Sequence, residues 1–133
     1  MAHEIKFYKD KEKKVLEPAL FSTIAEEWSK AVHESAGGKD AINKRTQIRK
    51  FYDEILRLYT ISRENPEQWE NFLPFVNMVI SKAVYAQARN KVSEKFVEML
   101  KKCIQQIQTL DDLEVFTNFF ESFMGYYRQY GAN

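Results

Sequence analysis

Cysteine is nearly absent from this chain: Cys103 stands alone among 133 residues. One thiol cannot close an intrachain disulfide, which fits a reducing cytoplasm. Proline and glycine are also scarce, at three and four residues, so few positions interrupt a helix. No stretch reaches the roughly 18 uninterrupted apolar residues that a membrane span needs, so no membrane contact is expected. The N-terminal MAHEIKFYKDKEKK carries charges where a secretory signal would carry its apolar centre. Only two histidines occur, His3 and His33, and neither has a zinc-binding spacing. P-loop, dinucleotide-binding glycine pattern and nucleophile elbow are all missing. The expectation is therefore a non-enzymatic chain with no catalytic residue, metal or cofactor.

What remains is helix-forming material of ordinary globular composition, long enough for one core without staples. Residues 1 to about 14, rich in Lys, read as a basic arm or a frayed end, and residues 15–133 as a single helical domain. From Pro18 the residues Leu20, Phe21, Ile24, Ala25, Trp28 and Val32 recur at helical spacing. Gly37 and Gly38 suit the left-handed turn that closes such a helix. A second helix covers residues 43–60, with Ile48, Phe51, Tyr52, Ile55, Leu56, Leu58 and Tyr59 as its apolar stripe. Asn65-Pro66-Glu67 marks a turn. A short helical turn over residues 67–73 is expected to stop at Pro74, with a third helix over residues 74–92. Ser93 and Glu94 open a fourth helix. Asp111 and Asp112 open a fifth, carrying Leu113, Phe116, Phe119, Phe120, Phe123, Tyr126 and Tyr127. No period-two strand, repeat or low-complexity segment stands out. The fold class is all-α, a compact bundle of about five helices with short connections.

The net charge of +1 is uninformative as a total, but its distribution is not. The second helix opens with Lys44, Arg45, Arg49 and Lys50 before its first acids, Asp53 and Glu54. That order opposes the positive partial charge of a helix N-terminus. Residues 71–93 contain no Asp or Glu, yet contain Lys82, Arg89 and Lys91. Lys82, Tyr85 and Arg89 share one helix face. Two readings compete. Lys and Arg ordinarily occupy solvated faces with their stems over apolar surface, and Arg49–Asp53 and Lys50–Glu54 have i,i+4 spacing. Alternatively, the cations neutralise phosphates beside an aromatic ring. Among other polar groups, Cys103 reads as a core residue. Glu121, within an aromatic run, reads as a buried carboxylate paired with a cation such as Arg128.

Four stretches, TQIRKFYDEILRLY, KAVYAQAR, FVEML and FFESFMGYYRQYG, come in an order and spacing that resembles the small subunit of the type III-A CRISPR–Cas effector, the Csm complex. Thr46, Gln47, Ile48 and Arg49 match that family's Thr/Ser-x-Ile/Leu-Arg helix start. Lys82, Tyr85 and Arg89 match a Lys-containing helix ending in Tyr-x-x-Gly-Arg. Ala88 stands where the family commonly has Gly, and Ser122 where it commonly has Ala. The resemblance covers about residues 43–130. It implies a cytoplasmic, non-catalytic, RNA-binding subunit in antiviral defence, stacked in several copies along the effector. The implied partners are guide RNA and target RNA, the backbone subunits of the Csm effector and neighbouring copies of itself. Carried onto this chain, Arg45, Arg49, Lys82 and Arg89 are the expected phosphate contacts, with Lys44, Lys50 and Lys91 beside them and Tyr85 in support. The alternative is a helical protein–protein adapter whose cations meet an acidic partner, with no nucleic acid.

Overall fold

The computed structural model describes residues 3–132. Five helices carry the fold: α1 (Ala25–Ser35), α2 (Arg45–Glu64), α3 (Trp69–Ala88), α4 (Glu94–Ile104) and α5 (Leu110–Tyr127). They pack in a closed order, α1 on α5, α5 on α2, α2 on α3, α3 on α4 and α4 back on α1. The core they enclose is aromatic at its centre. Phe96 of α4 meets Phe51 of α2 edge-on at 5.4 Å between ring centroids, and Phe120 and Phe123 of α5 meet each other at 5.9 Å. Offset and edge-to-face rings at these distances add to the stabilisation that burial alone supplies.

The helix ends follow local rules. Ser93 caps α4 by accepting a hydrogen bond from the Phe96 N–H. Thr109 and Asp112 form a reciprocal capping box at the start of α5, satisfying two donors that a bare helix would leave open. Gly37 and Gly38, at φ 61° and 80°, supply the left-handed turn after α1.

Four expectations change. First, the segment read as an arm or frayed end folds back on the bundle within the described residues. Strand β1 (Tyr8–Asp10) pairs antiparallel with β2 (Val15–Leu16), although no strand stood out in the sequence. Ile5 and Phe7 are buried. The Gln106 side chain holds this edge, its amide donating to the Ile5 carbonyl and its oxygen accepting from the Phe7 N–H. Alternation over so few residues is too short to register as a strand, and the burial comes from partners a hundred residues away.

Second, α3 does not stop at Pro74 but runs through it. Proline removes the hydrogen bond to the Glu70 carbonyl. Both residues lie on the exposed side, where solvent can replace that bond, and the opposite side is anchored by Val76, Val79 and Ala83. Third, helical structure begins at Leu20 with a π-helical turn, Leu20–Ile24, that leads into α1. Fourth, Leu56 is 38 % exposed rather than part of the α2 core stripe, because it lies a third of a turn away from the line through Ile48, Ile55 and Ser62.

Candidate nucleic-acid interface

Helix α2 has neighbours on both flanks, and its cations divide between them. On the α3 flank a groove of about 500 Å³ is lined by Gln47, Lys50, Phe51 and Glu54 of α2, by Val79, Lys82, Tyr85 and Ala86 of α3, and by Arg89 and Lys91 just beyond it. On the α5 flank a separate groove of about 430 Å³ is lined by Arg45, Thr46 and Arg49 of α2 and by Met124, Gly125 and Arg128 at the end of α5. Of the eight residues singled out in the sequence, five lie in the first groove, Lys50, Lys82, Tyr85, Arg89 and Lys91. Two, Arg45 and Arg49, lie in the second. Lys44 is exposed at the N-cap position of α2 and lines neither. Residues that follow one another along a helix are 100° apart, so Arg49 and Lys50 face different neighbours.

The α2–α3 groove has an apolar floor of Phe51, Val79 and Ala86 beneath a rim of cations. Tyr85 is 65 % exposed, and the Arg89 guanidinium lies over its ring at 5.6 Å, a cation–π arrangement that holds both side chains at the rim. Glu54 is the one carboxylate in the lining, and sequence reading did not place it there. Lys82 has no acid near it on its own helix, but α2 brings Glu54 within 3.1 Å of its Nζ. Glu54 also accepts two bonds from Arg57, at 2.9 and 3.0 Å, and not one from Lys50 as the i,i+4 spacing suggested. The Arg57 hydrogen bond, with Lys82 adding to it against partial burial, holds the Glu54 carboxyl below its ordinary range. Glu54 therefore stays ionised and fixes Lys82 at the α2–α3 seam, while Lys50, Arg89 and Lys91 line the rest of the groove.

The α2–α5 groove is built differently. The Arg45 Nη1 donates to the Arg128 carbonyl at 3.2 Å, and the Arg45 N–H donates to the Ala132 carbonyl at 2.7 Å. The chain end thus closes over the first turn of α2, which carries neither an acid nor a side-chain cap. Arg49 lies 3.8 Å from Asp53 with both side chains more than half exposed, a pairing worth well under about 1 kcal/mol. Glu121 is exposed and not a buried ion-pair partner; the α5 stripe that reaches the core is formed by its aromatic residues.

Asn43, which sequence reading passed over, organises this end of the molecule. It is fully buried, and its φ is 60°. Its side-chain amide donates to the Val32 carbonyl and to Ser93 Oγ, and its Oδ1 accepts from the Ser93 N–H. Its N–H donates to the Lys91 carbonyl, and its carbonyl accepts from the Tyr127 hydroxyl. One residue thereby ties α1, the α3–α4 connection and α5 to the start of α2. Burial pushes the Tyr127 hydroxyl up to about 12, so it remains a donor. Cys103 is buried in α4, and desolvation pushes its thiol well up, as a core role requires.

No helix among the described residues is long and apolar enough to cross a membrane. No group of three or more His, Cys, Asp or Glu residues among them is placed to hold a metal ion. Neither a curated protein nor a solved structure matches the chain. A family model does, the one described as Csm2 Type III-A, over residues 16–133. That span includes both grooves, all five helices and the Asn43 network, and the family is a structural one, in general non-catalytic. The chain belongs to the Csm2 Type III-A family, the small subunit of the type III-A CRISPR effector known as the Csm complex.

Proposed function

We propose that this subunit is a non-catalytic holder of RNA, working in the cytoplasm and contacting the phosphate backbone of target and guide RNA through the α2–α3 groove. The observation that carries this reading is the convergence of Lys50, Lys82, Arg89 and Lys91 with the exposed Tyr85 in one groove, from two helices and the turn that follows. Phosphate contacts position a strand without reading its sequence, and in a guide-directed effector base pairing supplies the specificity. A sequence-tolerant groove therefore suits the part. Several copies stack along the backbone subunits in this reading, each offering its groove to the same duplex. The exposed apolar pair Phe75 and Met78 lies on the same α3 face as Lys82 and Tyr85, toward the other end of the helix. It favours a subunit contact there.

The test belongs in the assembled effector. Lys50→Ala with Arg89→Ala is expected to weaken target-RNA binding and to reduce the slope of log K against log salt by about 1.4, two contacts at about 0.7 each for a single strand. Unchanged affinity and slope in a normally assembled complex would exclude the groove as the RNA contact. They would favour the adapter reading, in which the cations meet an acidic protein.

A further inference from the structure

Helix α2 starts with the wrong charge, and the chain supplies compensation from its other end. The first turn has no acid and no side-chain cap, so its open N–H groups need other acceptors. The residues after α5 provide one. The Ala132 carbonyl accepts from the Arg45 N–H at 2.7 Å, and the Arg128 carbonyl accepts from Arg45 Nη1 at 3.2 Å. Residues 128–132 thus lie as a strap across the start of α2, with Arg45 as its clasp.

The strap is fixed at one end and lightly held along the rest. Tyr127 is buried, with its hydroxyl donating to the Asn43 carbonyl, and its own carbonyl accepts from the Tyr130 and Gly131 N–H groups to turn the chain back. Beyond that fixed point none of residues 128–132 is buried. Tyr130 stacks on the exposed His33 ring at 5.0 Å between centroids. Underneath, a cavity of about 140 Å³ is lined by Tyr130 and Ala132 on the strap and by His33, Lys39 and Ile42 opposite, so this contact is not close-packed like the core. Gly131 marks the closest approach. A Cβ there would come within 2.4 Å of the Tyr127 ring and 2.8 Å of Arg45 Cγ. The Tyr127 ring is anchored, so a side chain at position 131 must lift the strap. So few buried contacts mark a segment that opens locally while the bundle stays folded.

We propose that residues 128–132 are an autoinhibitory strap: closed, their carbonyl oxygens occupy the start of α2 and two donors of Arg45; open, they yield both to an incoming phosphate. This rests on the reading of Arg45 as a phosphate contact, and adds that the protein's own backbone controls access to it. Strap and anion draw on the same donors and therefore compete. The population of the open state then scales the apparent affinity.

Two variants of the full chain open the strap by different means. Gly131→Ala adds one methyl group at the closest approach, and Tyr130→Ala removes the ring that stacks on His33. In either variant the Arg45 amide should exchange its hydrogen on the order of tenfold faster, the effect of losing one hydrogen bond, while the amides of Val97 and Phe120 keep their wild-type rates. Either variant should also bind single-stranded pentauridylate about twofold to tenfold more tightly than wild type. Arg45→Ala should cancel that gain. Lys50→Ala with Arg89→Ala should weaken binding yet keep the gain, which separates the strap from the α2–α3 groove. Faster Arg45 exchange with unchanged affinity would make the strap a structural closure only and overturn the proposal. Unchanged Arg45 exchange in both variants would overturn it as well. So would acceleration at Val97 and Phe120 in step, because the segment would then open only with the whole fold. No binding of pentauridylate by any form would remove the reading of Arg45 as an RNA contact, and autoinhibition with it.

Discussion

The Asn43 junction and the α2–α3 groove lie within a few residues of each other along α2, yet they treat polar groups in opposite ways. At Asn43 every polar atom of a fully buried residue has a named partner, five hydrogen bonds in all to Val32, Ser93, Lys91 and Tyr127. In the groove the cations are exposed, and one carboxylate, Glu54, serves Arg57 and Lys82 together. The first arrangement is costly to disturb, because a buried group left without a partner retains its full desolvation penalty. The second is cheap to disturb, because solvent replaces whatever is lost. The contrast locates stability in the junction and leaves the groove able to exchange its contacts for those of a ligand.

Four changes break or sharpen that contrast. Asn43→Ala should have the largest effect, a loss of roughly 2–4 kcal/mol in chemical denaturation, from orphaned partners and a strained positive φ. A loss below that range would mean the junction is not the structural tie described. Tyr127→Phe keeps the ring and its stacking on Phe123 but strands the Asn43 carbonyl, for an expected loss of about 1–2 kcal/mol. Tyr85→Ala should leave unfolding within about 0.5 kcal/mol of wild type, yet weaken single-stranded RNA binding by about 1–3 kcal/mol if a base stacks on the ring. Lower stability with unchanged RNA affinity would reverse the assignment of that face.

The smallest effect concerns pH. The Glu54 carboxyl is held below its ordinary value by Arg57 and Lys82. Its contribution is therefore fully present above the unfolded-state value, 4.5, and is lost as pH falls through the lower folded value. Melting temperature should drop more steeply below that point in the wild type than in Glu54→Gln, by well under about 1 kcal/mol in stability. Parallel acid profiles would mean that the Glu54–Lys82 pair does not hold the two helices together.

Much of the molecule was legible because its signals are local. The helix start at Ser93, the acidic opening of α5 at Asp111 and Asp112 and the glycines after α1 are features that a few adjacent residues settle. So is the aromatic stripe of α5, read from its helical period. Misreadings arose where a local rule met a distant partner. Pro74 predicts a break, but packing on one side and solvent on the other carry the helix through it. Lys82 looks free of carboxylates until α2 is laid beside it. Asn43 was passed over inside the span read as the second helix, because nothing nearby in sequence reveals that α1, α4 and α5 converge on it.

By itself the sequence determined the helices, most of their boundaries, most of the apolar stripes that form the core and the surplus of cations on α2 and α3. Those follow from backbone propensity and from the period with which apolar side chains recur. Only the tertiary structure decided which cations act together. A 100° step between Arg49 and Lys50 sends them to different neighbours, so one strip in the sequence becomes two grooves in space. Arg128 and Gly125 then join Arg45 and Arg49 across some eighty residues of chain, and no local pattern records that meeting.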